Sequence, residues 1–247
     1  ARLLDEKGNY RDERNNYSFV SFDCGPTLLR YLESEEPAVY RGILDGDRAS
    51  LARFNGHGTA LAQSYHHSIL PLCNERDTRT ELLWGLADFE RRFGRRAEGL
   101  WLPEAAIDTP TLEVLAETDI KFVLLAPQQV SQVKPSGGDW RVANACPDLA
   151  SRAYDIVLPS GKRLAAFVYD GDLSHGVAFS GYLHNGDYLA SKVVERALEQ
   201  DFVSIATDGE SYGHHHRHGE MALARAIEIW EGRGDLEMTV YGELLEN

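Results

Sequence analysis

Short apolar runs alternate with segments of helical periodicity along much of the chain. Residues 99–102, 121–126, 163–169 and 202–207 are apolar runs with the length of buried strands. The segments between them repeat apolar residues at spacings of three and four, which predicts amphipathic helices. Strands connected by single helices are typical of parallel sheets and barrels. The pattern therefore predicts an α/β fold with a mostly parallel sheet.

The predicted helix at residues 80–93 shows this periodicity clearly. Leu82 and Phe89 fall near one of its faces, and Gly94 follows as the expected C-terminal stop. The chain contains no internal repeat and no long linker, and its main break at residues 135–138 is typical of a surface loop. We therefore expect a single domain over residues 1–247. The four predicted helices cover residues 80–93, 109–118, 187–200 and 220–231.

The charge balance restricts the classes of partner. Among 247 residues, 25 Lys and Arg stand against 39 Asp and Glu, which gives a net charge of −14. This charge repels phosphate backbones and anionic lipid headgroups, so we expect neither a nucleic acid nor a membrane as partner. No apolar run approaches the ~20 residues that span a bilayer, and the three cysteines form no disulfide framework. Composition favours a cytoplasmic protein and leaves its oligomeric state open.

Three predicted strands lead into a carboxylate. Glu104 follows the run at residues 99–102, Asp170 follows the run at residues 163–169, and Asp208 follows the run at residues 202–207. In a parallel β/α barrel, residues after the C-terminal ends of the strands meet at one rim, where such enzymes hold their chemistry. An acidic residue after a strand can also be a helix N-cap or a turn former, so each case alone is ambiguous.

Two segments are rich in histidine. Residues 206–220 combine carboxylates with four histidines and with glycines that allow sharp turns. They could ligate zinc, donate hydrogen bonds to a polyhydroxylated substrate around Asp208, or form a solvated loop. The second segment covers residues 56–72. In it, His67 precedes an apolar stretch, where a histidine is more often structural than functional. Trp101 could stack on a sugar, although core packing is the simpler interpretation.

The combination of carboxylates, histidines and aromatic residues favours chemistry at a glycosidic bond. One carboxyl group protonates the leaving oxygen in such reactions, while another stabilises or traps the sugar cation. The sequence lacks a phosphate-binding glycine loop, a Cys-x-x-Cys pair and a Gly-x-Ser-x-Gly elbow, which removes several other classes of enzyme.

Four segments in order resemble the signatures of glycoside hydrolase family 57. Residues 99–104 (GLWLPE) and 207–215 (TDGESYGHH) resemble its third and fourth signature regions, and residues 67–72 (HSILPL) resemble its second. Residues 167–179 resemble the stretch between the third and fourth. The likeness covers about residues 20–245. It is strongest to a bacterial subgroup that carries an uncharacterised C-terminal domain.

The resemblance implies a (β/α)7 barrel that acts on α-glucans with retention of configuration. It implies that Glu104 is the nucleophile and Asp208 the general acid/base, with no metal and no organic cofactor. The substrate is then an α-glucan or oligosaccharide. The residues expected to bind it are His67, Trp101, Asp170, Tyr212 and His214.

The chain departs from the family pattern in two places. The opening His-Gln-Pro signature has no counterpart, so we expect a barrel that is incomplete at its N-terminal strand and forms part of a longer protein. The second region also lacks the acidic residue that is common in α-glucan enzymes. Two alternatives therefore stay open. One is a metal-dependent polysaccharide deacetylase that uses Asp208 and the histidines at residues 214–218; the other is an inactive carbohydrate-binding relative.

Overall fold

The computed structural model describes residues 1–246, which divide into two compact units. Both units are assembled from separate stretches of the chain. The first unit comprises Ala1–Asn16, Leu125–Arg152 and Val168–Met238. The second comprises Tyr17–Leu124, Ala153–Phe167 and residues 239–246. Within residues 1–246, no helix combines the length and apolar character needed to cross a lipid bilayer.

The second unit contains a series of strands separated by helices. Its helices are α1 (Pro26–Glu35), α2 (Pro37–Arg53), α3 (Glu75–Phe93), α4 (Thr109–Leu115) and α8 (Tyr241–Glu246). Its strands are β3 (Phe22–Asp23), β4 (Ala60–Leu61), β5 (Gly99–Leu100), β6 (Phe122–Leu125), β9 (Ala153–Val157) and β10 (Arg163–Val168). Strands β6 and β10 each end one residue beyond this unit's range.

Parallel pairing dominates this series. Strands β3 and β4 pair in parallel, and a parallel bridge between Ala62 and Leu100 continues the order towards β5. Strand β5 pairs in parallel with β6 in a sheet of order β5-β6-β10-β9, in which only β9 is antiparallel to its neighbour β10. The predicted α/β class is confirmed. These pairings do not show a closed barrel, so the (β/α)7 barrel stays a prediction.

Local chemistry explains where α3 begins and ends. The Asn74 side chain caps the helix by accepting a hydrogen bond from the Asp77 amide at 3.0 Å. Gly94 terminates it in the left-handed conformation at φ 70°, as the sequence predicts. The helix begins five residues earlier than the predicted start at Thr80, because Asn74 supplies a better cap.

The first unit contains the remaining helices and two small antiparallel sheets. Helices α6 and α7 pack against each other, and Trp230 donates a hydrogen bond from its indole to the Ala190 carbonyl at 3.3 Å. The helices are α5 (Gly171–Phe179), α6 (Gly186–Ala197) and α7 (Gly219–Glu231). The paired strands are β1 (Arg2–Leu4) with β2 (Tyr10–Glu13), and β7 (Gln132–Val133) with β8 (Arg141–Val142).

One predicted strand is wrong. Residues 202–207 form no strand, although three other predicted strands and all four predicted helices appear with shifted ends. The segment accepts a backbone hydrogen bond from Asp170 at the Ser204 carbonyl (2.8 Å), and the Ala206 amide donates to the Ser174 hydroxyl at 3.1 Å. A side chain therefore takes a place that a neighbouring backbone would hold in a ladder.

Candidate functional site

Glu104 lies in a strained turn directly after strand β5. The turn spans Pro103–Ala105, and both Glu104 and Ala105 have left-handed backbone angles, with φ of 57° and 52°. Non-glycine residues adopt this region rarely and cluster at functional sites when they do. The buried Leu102 anchors the turn, while the Glu104 side chain is 68% exposed. The nucleophile predicted from the sequence is thus presented to solvent on a fixed backbone.

His67 is the direct partner of Glu104. Its Nε2 lies 3.0 Å from Glu104 Oε1, and its Nδ1 lies 3.3 Å from Gln63 Oε1. An amide oxygen only accepts hydrogen bonds, so the Gln63 contact requires a proton on Nδ1. Both ring nitrogens of His67 therefore have a partner, and the imidazole links the Gln63 amide to the Glu104 carboxyl group.

The loop that carries Gln63 and His67 packs against helix α3. Gln63 is 7% exposed, and a Cβ added to Gly85 would lie 2.1 Å from the Gln63 carbonyl oxygen. Only glycine permits this approach of helix and loop. His67 itself has a left-handed φ of 57°, so backbone strain occurs on both sides of the His67–Glu104 contact.

Trp101 lies at the end of β5, close to this pair in sequence. Its amide donates to the Ala62 carbonyl at 2.8 Å, and its side chain is half-buried. A half-buried indole satisfies part of the expected core packing and leaves part of the ring accessible. Contact with a substrate stays a prediction for this residue.

Asp208 has a different setting in the first unit. It occupies the N-cap position of a 3-10 turn at Gly209–Tyr212, but its exposed side chain makes no capping hydrogen bond. Tyr169 directly follows β10, and the charge of Asp208 affects the pKa of its hydroxyl group. Burial first, and the negative charge of Asp208 second, raise the pKa of Tyr169 above its ordinary value.

Tyr212 supports the segment around Asp208. Its hydroxyl accepts a hydrogen bond from Thr207 Oγ1 at 3.1 Å, which ties the residue before Asp208 to the end of the turn. Burial raises the pKa of Tyr212, and the bond from Thr207 opposes this shift. Tyr212 therefore stays a neutral phenol that is able to donate one hydrogen bond.

The histidines after this turn divide into two kinds. The amides of His214 and His215 both donate to the Glu210 carbonyl, at 3.1 and 2.9 Å, and both side chains are exposed. His216 instead donates from Nε2 to the Ala178 carbonyl at 2.8 Å at the end of α5. His214 is thus available to a ligand, whereas His216 fastens two segments together.

The Asp170 carboxylate is occupied by the protein itself. The residue is 5% exposed, and its Oδ1 caps α5 by accepting from the Leu173 amide at 2.9 Å. Its Oδ2 lies 3.0 Å from Arg196 Nε. These contacts give Asp170 the capping role that the sequence left open beside substrate binding, and substrate contact stays a prediction.

A separate cluster has the composition of a metal site. Within residues 1–246, only His57, Glu98 and Glu246 bring three possible ligand atoms within 4.8 Å of one another. Lys121 lies among them, with Nζ 2.9 Å from Glu98 Oε1 and 3.5 Å from Glu246 Oε1. Burial favours the neutral acid, but hydrogen bonds from Lys121 and His57 outweigh it and lower the pKa of Glu98. An ammonium group thus already supplies the cation here.

Sequence reasoning assigned no role to three residues that shape these two settings. Gln63 orients His67, Tyr169 feels the charge of Asp208, and Ser174 bonds both the Asp170 carbonyl (2.6 Å) and the Ala206 amide. The spacing of four between Gln63 and His67 is no signal in the sequence, because it predicts side-chain contact only on a helix and Gln63 lies in a loop. The Tyr169–Asp208 and Ser174–Ala206 contacts join residues that are far apart along the chain.

Solved structures share this fold at low sequence identity. A 4-alpha-glucanotransferase from Thermococcus litoralis is 17% identical with a TM-score of 0.66, over 94% of this chain and 32% of that chain. An exo-type maltose-forming amylase from Pyrococcus sp. ST04 is 19% identical with a TM-score of 0.70, over 93% and 36%. A branching enzyme from Thermococcus kodakaraensis is 18% identical with a TM-score of 0.65, over 90% and 51%.

The chain therefore spans between about a third and a half of the length of these relatives. The comparison with curated proteins gives no match. A family model described as glycosyl hydrolase family 57 matches residues 15–246, which is nearly the whole chain. The resemblance carried by the four signature segments is confirmed, and the chain belongs to glycosyl hydrolase family 57.

Proposed function

We propose that this chain contributes the catalytic domain of a retaining glycoside hydrolase or transglycosylase that acts on α-glucans. The observation that carries the proposal is the 3.0 Å contact between His67 Nε2 and Glu104 Oε1, on a strained turn after a parallel strand. Family membership and the named activities of the structural relatives support the substrate class. No metal or organic cofactor takes part in the proposed reaction.

Glu104 is the proposed nucleophile. The contact with His67 holds the Glu104 carboxyl group in one orientation, from which its carboxylate attacks the anomeric carbon of the bound sugar. The attack forms a bond between a Glu104 oxygen and that carbon while the glycosidic bond breaks.

Asp208 is the proposed general acid and base. It protonates the leaving glycosidic oxygen in the first step, and then removes a proton from water or an acceptor hydroxyl that attacks the glycosyl ester. Retention by this route requires the two carboxyl groups to approach within about 5 to 5.5 Å of each other. Water as acceptor gives hydrolysis, and a second glucan gives transfer.

The finer features follow from the same proposal. We assign substrate contacts to Trp101, Tyr212 and His214, with Asp170 holding the start of α5 in place. The complete catalytic domain is proposed to be a (β/α)7 barrel of the bacterial subgroup with a C-terminal domain. The net charge of −14 supports a neutral saccharide rather than a polyanion as partner, and composition supports a cytoplasmic location.

Azide rescue with α-maltosyl fluoride tests the two catalytic roles. Glu104→Gly should lose at least about a thousandfold in kcat, and azide should restore turnover with the β-glycosyl azide as product, because azide attacks from the vacated face. Asp208→Gly should instead form the ester with Glu104 and release the α-glycosyl azide. Product anomers are read by NMR.

A matched control keeps the result specific. Asp172→Asn changes a 94% exposed carboxylate at the start of α5 and should leave turnover of the fluoride unchanged. The proposal fails when the parent protein neither binds nor converts any α-glucan, or when both glycine variants release the same anomer.

A further inference from the structure

We infer that Tyr65, His66 and Trp84 form a second carbohydrate contact surface, which binds an α-glucan chain outside the reacting sugar. We call these three residues the aromatic platform. The inference rests on the proposed function, because it assigns part of the same substrate to a surface that the catalytic groups do not include. All three residues lie in the second unit, together with His67 and Glu104.

Three ring contacts assemble the platform. The Tyr65 and Trp84 rings meet edge to face with centroids 5.7 Å apart at 83°, and the His66 ring lies 4.7 Å from Tyr65 and 6.4 Å from Trp84. Trp84 is 54% exposed, although tryptophan side chains are on average largely buried. The rings thus form one ordered surface in which His66 and Trp84 are exposed and Tyr65 is half-buried.

Helix α3 holds the platform rigid. Glu81, Trp84 and Gly85 lie at spacings of three and four and share one face of the helix. Glu81 accepts from the His66 amide at 2.8 Å and contacts His66 Nδ1 at 2.7 Å, while its carbonyl accepts from the Tyr65 amide at 3.1 Å. Fixed rings lose little conformational entropy when a ligand binds.

The chemistry of the platform fits a neutral saccharide. The Glu81 carboxylate is paired with His66, so the surface offers no unpaired charge within this group to attract an ion. A pyranose ring has an apolar face of C–H groups that packs on an indole, and hydroxyl groups at its rim that pair with the Tyr65 hydroxyl and the imidazole. An exposed aromatic surface with polar edges suits such a ligand better than an apolar helix.

Continuity with the proposed nucleophile selects one glucan chain as the occupant. His66 belongs to the platform, and the next residue, His67, contacts Glu104 at 3.0 Å. We therefore expect a linear oligosaccharide with one sugar at Glu104 to reach the platform with its further units. The platform should then improve binding of long glucans and leave short ones unaffected.

Trp84→Ala tests this inference in the full chain. We expect KM for amylose to rise about tenfold or more with kcat nearly unchanged, while kcat/KM for maltotriose changes less than about twofold. Trp84→Phe should recover much of the loss because it restores an aromatic face. Leu83→Ala is the matched control, because Leu83 is the neighbouring, 51% exposed residue of α3.

A binding measurement separates this inference from the proposed function. In a Trp101→Phe background, which removes the indole already assigned to substrate contact, tryptophan fluorescence should change when maltoheptaose binds. This change should be lost when Trp84→Phe is added, while calorimetry still detects the sugar. An equal response in both proteins, or equal amylose KM in Trp84→Ala and Leu83→Ala, overturns the platform. Failure of the parent protein to bind or convert any glucan overturns the proposed function as well.

Discussion

The turn at Glu104 and the segment at Asp208 hold their carboxylates in opposite ways. Glu104 has a direct partner in His67, and three residues in this region have left-handed backbone angles: His67, Glu104 and Ala105. Asp208 has an ordinary extended backbone, with φ of −61°, and its side chain makes no capping bond. Tyr169 senses its charge. The Glu104 carboxylate is thus held by a direct contact with His67. The Asp208 carboxylate is exposed and affects Tyr169 only through its charge.

This difference suits two different tasks. A nucleophile must be aimed at one carbon atom, which a paired and strained position provides. A general acid and base must exchange protons with the leaving group, the acceptor and solvent in turn, which an exposed carboxylate without a fixed partner permits. The comparison therefore supports the proposed assignment of roles, and each prediction below alters one side of it.

Removal of His67 has the largest expected effect. His67→Ala should lower kcat about a hundredfold, because Glu104 loses the side chain that orients it. The measurement is steady-state turnover of α-maltosyl fluoride, whose good leaving group makes formation of the ester depend on Glu104 more than on Asp208.

A double-mutant cycle separates this role from a structural one. When His67 acts through Glu104, His67→Ala should cost almost nothing further in the Glu104→Gln background, because the two residues work as one unit. Fully additive losses in the double variant contradict a coupled pair. The same change combined with Asp208→Asn should be additive.

Much of the fold could be predicted from the sequence, because burial imprints a simple pattern. The strand at residues 163–169 and the helix at residues 220–231 appear close to their expected limits, since apolar runs and 3.6-residue periodicity report directly on burial. Residues 202–207 have the same apolar character yet form no strand, because the Ser174 hydroxyl bonds the Ala206 amide. A side chain from a distant helix leaves no local signal.

The site shows the same division. Glu104 and His67 were predicted from signature segments, and the structure places their side chains 3.0 Å apart. The roles of Gln63 and Gly85 depend on how α3 approaches the loop, which no periodicity encodes. The aromatic platform was not predicted because Tyr65 and Trp84 lie nineteen positions apart and meet only in the folded chain.

The next largest effect concerns stability. An alanine substitution should destabilise the protein more at Gly85, beside the His67 loop, than at Gly219, beside the Asp208 segment. Gly85→Ala places a Cβ 2.1 Å from the Gln63 carbonyl oxygen, so helix and loop must separate, at a net cost of about 1 to 3 kcal/mol. Gly219→Ala, beside the Asp208 segment, meets the Ser211 oxygen at 3.1 Å and Tyr212 Cα at 3.2 Å. A few tenths of an ångström relieve that contact, so its effect should stay within about 1 kcal/mol.

Urea unfolding with both circular dichroism and fluorescence measures this pair. Gly85→Ala should also reduce turnover, because displacement of Gln63 moves His67 away from Glu104. A Gly85→Ala protein with the stability and turnover of the parent would show that the helix does not fix the loop.

The smallest expected effect concerns the charge of Asp208. Burial and this charge both disfavour the phenolate of Tyr169, so Asp208→Asn should lower the pKa of Tyr169 towards its ordinary value without reaching it, because burial remains. Phenolate should therefore form at lower pH in the variant, which NMR of ¹³C-labelled tyrosine detects residue by residue. Glu104→Gln should leave the titration of Tyr169 unchanged. A shift of equal size in both variants would mean that the two carboxylates do not differ in this respect, and the contrast between the paired nucleophile and the carboxylate that acts at a distance would fail.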